Sequence, residues 1–200
     1  MQAPLLADPF YVQPKDSPAK KAVLRAALSL FVDNGIAETT VRDIAAAAAF
    51  SNPVIFKYFA TRDALAVQLF ESCFRNFSQR LERATASHLP LARRLQGLID
   101  TYGEAAQNET DTFLYLHENS RALSPLISDE LRSFSLPRRM RKLLQEAQAA
   151  GLVAAHEDAD LLCAALQGFF LALARRAHAG SALASHDAVS RLANRIIQAH

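Results

Sequence analysis

Glycine is scarce in this chain, at 6 of 200 residues, and β-branched residues come singly rather than in alternating runs. The first argues against the glycine-rich turns that join many short strands, and the second against the strands themselves. Cysteine is rarer still: Cys73 and Cys163 stand alone, with no CxxC and no metal-ligand spacing. They fit buried thiols in a reducing cytoplasm better than a disulfide. A large excess of one charge is also missing, with 22 Lys and Arg against 20 Asp and Glu. The net charge of +2 excludes a polybasic nucleic-acid coat, but not a sequence-specific binder whose basic groups share one face. The N-terminus lacks the order of a signal peptide. The most apolar stretch, Leu161 to Ala174, is flanked by Asp160 and Arg175 and falls short of the roughly 20 residues a bilayer span needs. A soluble, cytoplasmic protein is expected.

What is present is Leu, Ala and helical periodicity. Half of the residues are apolar, enough for one large or two small domains, and the expected class is all-α. Residues 1–17 are proline-rich and aperiodic, and read as a flexible arm. Ser17-Pro18 supplies an N-cap and a first-turn proline for a helix whose apolar stripe includes Leu24, Ala27, Leu28 and Phe31, ended at Asn34-Gly35. Thr40 and Asp43 suit a capping box for a second helix. Phe50-Ser51 makes a turn, and Ser51 is expected to cap a short third helix with Ile55 and Phe59 on its inner face and Phe56 beside them. Thr61 caps a fourth, from Arg62 to about residue 85. Further helices are placed near 91–107, 110–122, 129–150, 158–179 and 186–199, with Pro137 expected to kink or split the third of these.

The segment 39–63 carries the most information. Two short helices joined by a tight turn, the second presenting polar side chains, form the layout of a helix-turn-helix, whose second helix enters the DNA major groove. Asn52 can pair with adenine, and Pro53 and Val54 can touch a thymine methyl. Lys57, Arg42 and Arg62, with the hydroxyls of Thr40 and Tyr58, suit phosphate contacts that set register, and Ser51 at the head of the third helix belongs to the same DNA-binding set. The bland alternative is that the charges are only solvated surface.

Residues 44–65, Ile-Ala-x-x-Ala-x-Phe-Ser-x-x-x-Ile-Phe-x-Tyr-Phe-x-x-Arg-Asp-x-Leu, closely resemble the signature of the TetR (tetracycline-repressor) family of bacterial regulators. With the first helix included, the resemblance covers about residues 18–70. It implies a homodimer that binds a palindromic operator on double-stranded DNA with its N-terminal helices and a small-molecule effector with its C-terminal ones. Three positions depart from the pattern. Ala49 stands where the turn usually has Gly, Phe56 where helix three usually has Tyr, and Arg62 where helix four usually has Lys.

The expected organisation is therefore an arm (1–17), a helix-turn-helix domain (18–62), and a helical ligand-binding and dimerisation domain (63–200), about nine helices in all. The helix from Asp160 to His178 is apolar nearly all round and must be covered on every face. With the final helix it could form a four-helix interface across a two-fold axis, placing the dimer on 158–179 and 186–199. Phe74, Tyr102, Phe113, His117, Phe134 and Phe170 could line a pocket for an apolar or amphipathic ligand, or could be ordinary core. No catalytic residues, metal site or cofactor are expected: GxSxG, P-loop and GxGxxG are absent, and His117-Glu118 and His156-Glu157 lack the second histidine of HExxH. The acidic run 157–160 is explained more simply by helix capping than by a metal. The rival to a repressor is a helical ligand- or partner-binding bundle that has lost specific DNA binding.

Overall fold

The computed structural model describes residues 11–12, 15–182 and 184–198, and all the regular structure among them is helical. Packing divides the chain into two compact units, residues 1–76 with 119–131, and residues 77–118 with 132–200.

The first unit is built on α1 (Pro18–Asn34), α2 (Val41–Ala47) and α3 (Asn52–Phe56), with residues 62–76 of α4 (Arg62–Ala84). Ser17 caps α1, its hydroxyl accepting from Lys20 N at 3.3 Å, with Pro18 in the first turn. The Thr40–Asp43 capping box is complete: Asp43 N donates to Thr40 Oγ1, and Thr40 N to Asp43 Oδ2 at 2.9 Å. Two reciprocal bonds thereby satisfy donors the first turn would leave open. Ser51 precedes α3 in extended backbone, but its side chain makes no capping bond, so that expected cap is positional only. Val23, Leu28, Phe31, Ile44, Ile55, Phe59 and Leu65 close the core of these helices.

Most of the expected flexible arm, residues 1–10 and 13–14, lies outside the described residues. Its described part is packed: Tyr11 and Val12 are buried, and Asp16 accepts from Lys20 Nζ at 2.7 Å.

In the second unit, α5 (Leu91–Asn108) packs on α8 (Leu136–Ala149), α9 (Ala159–His178) and α10 (His186–Ile197). The start of α6 (Thr110–Leu123) also belongs here. A Cβ at Gly97 would stand 2.5 Å from the carbonyl oxygen of Ala84, so a hydrogen is all that α5 can present to the end of α4. The helix expected over 129–150 is two, α7 (Asp129–Arg132) and α8, because Pro137 fits only the first turn of a helix; Ser135 caps the new start. Asp158 caps α9, accepting from Asp160 N at 2.6 Å, which gives that acidic run a structural role.

Ala49 is the sole non-glycine with positive φ among the described residues, at 58°. Left-handed backbone costs an L-residue roughly 1–2 kcal/mol, partly offset by the lower unfolded-chain entropy of Ala relative to Gly. Ala49→Gly is expected to raise stability by about 0.5–1 kcal/mol in urea titration. A lowered midpoint would contradict the strain assignment.

Candidate functional site

The five residues of α3 divide by side. Ile55 and, just beyond the helix, Phe59 are 1% and 3% exposed, turned onto α1 and α2. Ser51, Asn52, Pro53 and Lys57 are exposed, and Val54 and Tyr58 half-buried. Thr40 and Arg42, at the start of α2, are exposed as well. The same unit therefore displays an amide, two small apolar groups, two exposed cations and several hydroxyls. These are the groups that read base edges and grip phosphates.

Phe56 differs from the sequence reading. It was expected beside the inner face and is 53% exposed. A helix of five residues has little more than one turn, so Ile55 and Phe59 take the buried side and Phe56, one position on from Ile55, swings outward. Phe50 in the preceding turn is also exposed, at 39%.

Three of the expected phosphate-contacting groups, Tyr58, Arg62 and Thr40, have intramolecular partners. A 2.7 Å hydrogen bond joins Tyr58 Oη to Ser17 Oγ, tying the end of α3 to the cap of α1. Arg62 donates from Nη1 to the carbonyls of Ala37 (2.9 Å) and Thr39 (3.3 Å), and from Nε to Asp63 Oδ1 (2.9 Å). It thus pins the loop before α2 to the start of α4. Thr40 donates its hydroxyl to Asp43 at 2.6 Å, and that bond, with the Thr40 backbone N–H, holds the Asp43 carboxyl below its ordinary pKa. Lys57 Nζ lies 5.9 Å from the Tyr58 ring centroid. Ser17 was absent from the sequence-derived site, because nothing local signals a partner 41 residues away.

The comparisons with known proteins agree with this geometry. A family model described as bacterial regulatory proteins, tetR family, matches residues 23–69, which spans α1, α2, α3 and the start of α4. The HTH-type transcriptional repressor Rv3405c of Mycobacterium tuberculosis is 33% identical over 82 residues, 41% of each chain. The HTH-type transcriptional repressor KstR2 of Mycolicibacterium smegmatis is 26% identical over 159 residues, 74% of this chain and 76% of that one. Residues 23–69 thus resemble the N-terminal segment of the tetR family.

The likeness of fold reaches beyond the matched segment. The structure of the ketosteroid transcriptional regulator KstR2 of Mycobacterium tuberculosis superposes with a TM-score of 0.77 at 18% identity, covering 92% of this chain and 97% of that one. The three tetR-family departures now have positions: Ala49 adopts the left-handed turn backbone regardless of its side chain, Phe56 is presented outward, and Arg62 braces the loop before α2.

Of the six side chains expected to line a pocket, four meet in the second unit. Tyr102, Phe113, His117 and Phe170 form one aromatic cluster, joined by Phe77, with ring centroids 4.2–6.3 Å apart. Phe74 belongs to the first unit, where it stacks on Phe70 at 6.1 Å. Phe134 lies under the Arg139 guanidinium, 3.7 Å from its ring centroid, apart from the cluster contacts. Burial lowers the His117 pKa to about 4 and pushes the Tyr102 hydroxyl up, so both are neutral near pH 7. No helix among the described residues is long and apolar enough to cross a membrane.

Proposed function

We propose that this chain is a cytoplasmic transcriptional regulator, a homodimeric repressor released from a palindromic operator by a small apolar or amphipathic molecule bound in the second unit. The observation that carries the reading is the two-sided α3, with Ile55 and Phe59 in the core while Asn52, Pro53 and Lys57 stand in solvent. Its named relatives are repressors, and none of these is an enzyme. The aligned part spans only 41% of the length of Rv3405c, so shared activity rests on the DNA-facing residues rather than on the whole chain.

The dimer reading is supported by α9 and α10. α9 buries Leu162, Cys163, Leu166, Phe170 and Ala174, yet leaves Leu161 61% exposed on another face. Gly168 has open space around it, and Leu192 of α10 is 47% exposed. A second copy seated there would cover these groups and set two recognition helices against two half-sites.

Gel retardation on DNA flanking the chain's own gene tests the proposal. A specific, salt-sensitive band is expected. Lys57→Ala should weaken binding to all sequences alike, whereas Asn52→Ala should cost about 1–3 kcal/mol and relax preference at particular bases. Leu161→Glu should abolish the specific band by breaking the dimer. Absence of any specific band would favour the bundle that has lost DNA binding, and effector-saturated protein that held operator as tightly as free protein would exclude release.

A further inference from the structure

A cleft of about 530 Å³ opens in the second unit among the end of α4, the loop that follows, the start of α5 and the first turns of α8. That volume suits a small organic ligand. Its floor is apolar, formed by the buried side chains of Leu81, Leu98 and Leu143. Its walls are basic. Arg94, Arg138, Arg139 and Lys142 line it against the single carboxylate of Glu82.

The acids nearby hold some of these cations in place without cancelling them. Arg94 donates to Glu146 Oε2 at 2.8 Å and to the Thr85 carbonyl at 3.2 Å. Arg139 reaches Glu82 at 3.2 Å and rests on the Phe134 ring. Lys142 Nζ is 4.0 Å from Glu146 Oε1 and 77% exposed, and the Arg138 guanidinium has no ion pair among the described residues.

Where the cations sit is the second observation. Arg138 and Arg139 occupy the first turn of α8, and Arg93 and Arg94 that of α5; neither turn holds an acid. The other helices that begin in this unit, α6, α9 and α10, each place an aspartate there. Cations at a helix N-terminus oppose the helix dipole and cost stability. Two such starts facing one cleft break a local rule at a shared place, as functional sites do. An oxyanion would reverse the penalty, meeting guanidinium forks and a helix N-terminus together.

We propose that this cleft binds a small amphipathic anion. Its carboxylate or phosphate sits among Arg138, Arg139 and Lys142 at the start of α8, and its apolar part lies on Leu81, Leu98 and Leu143. As the effector site, this deepens and rests on the regulator reading; as a binding site, it stands alone. It also narrows the ligand class from apolar or amphipathic to amphipathic and anionic, with the anion recognised outside the aromatic cluster.

Calorimetric titration of the full chain with decanoate, decyl phosphate, decan-1-ol and inorganic phosphate, all below micelle-forming concentration, tests it. At least one anionic amphiphile should bind tenfold or more tightly than decan-1-ol and than inorganic phosphate, and the preferred head group separates carboxylate from phosphate ligands. Arg138→Glu and Lys142→Glu should each weaken that binding tenfold or more. Arg138→Glu places Glu three residues after the Ser135 cap, completing a capping box, so the thermal midpoint should hold or rise while binding is lost. Equal binding of decan-1-ol, equal binding of inorganic phosphate, or unchanged affinity in both variants would overturn the proposal. No DNA is present in this titration, so its failure leaves the DNA-binding reading standing, and a negative gel-retardation result leaves the anion site standing.

Discussion

Phe170→Ala is expected to cost about 3–5 kcal/mol, the range for truncating a fully enclosed aromatic. Phe170 is 0% exposed on α9, with its ring centroid 5.6 Å from that of Tyr102 on α5 and 5.2 Å from that of Phe169. Tyr102 in turn meets Phe77 edge-on at 5.1 Å and Phe113 at 6.1 Å. Removing the ring leaves a void beside Tyr102, which Phe77 of α4 and Phe113 of α6 hold in place, so local collapse cannot fill it. Against a typical stability of about 5–15 kcal/mol, the second unit would be left near its unfolding threshold at physiological temperature. Urea titration followed by circular dichroism measures the loss. A cost below about 1 kcal/mol would show that the cluster is loosely packed and able to admit a ligand without repacking.

Acid should destabilise the chain through His117. The imidazole lies between Phe113, at 4.2 Å, and Tyr102, at 6.2 Å, and burial lowers its pKa from 6.5 to about 4. Between those two values the unfolded chain binds a proton that the folded chain refuses, so stability rises with pH there. The contribution of neutral His117 is therefore complete above about pH 6.5 and is lost progressively down to about pH 4, by up to about 3 kcal/mol. Carboxylates titrate in the same window, so the measurement is the difference between wild type and His117→Gln. The wild type should hold its advantage at pH 7.5 and lose most of it by pH 4.5. A gap independent of pH would place the imidazole in a solvated environment and remove the explanation.

Much of the molecule was legible because its signals are local. Ser17, Thr40 and, in the acidic run, Asp158 each sit one residue before a helix and accept from its first-turn N–H groups. Such caps depend on neighbours one to three residues away, so the spacing of residue types reveals them. Pro137 marked the break in 129–150 for the same reason. Which side of α3 faces solvent was legible except at Phe56, because its buried pair, Ile55 and Phe59, is spaced one helical turn apart.

Phe56 shows where that reasoning stops. In a helix of five residues, periodicity cannot decide which of two adjacent aromatics faces inward; packing against α1 and α2 chose Ile55 and left Phe56 outside. The Tyr58–Ser17 bond and the grip of Arg62 on the loop at 37–39 join residues far apart in sequence, and no local pattern encodes them. The six candidate pocket residues share a chemical type but not a place: four form one cluster, Phe74 belongs to the first unit, and Phe134 stacks under Arg139.

Residue order alone thus specified an all-helical chain, the start of most of its helices and the two-sided character of α3, since capping, helix breaking and amphipathic spacing act within a few residues. Tertiary packing decided the rest. It chose which aromatic rings share a core, which cations are braced and which are offered to solvent, and it brought the arginine-bearing starts of α5 and α8 to one cleft. Those outcomes depend on how helices cross, and the contacts that fix a crossing lie tens of residues apart in the chain.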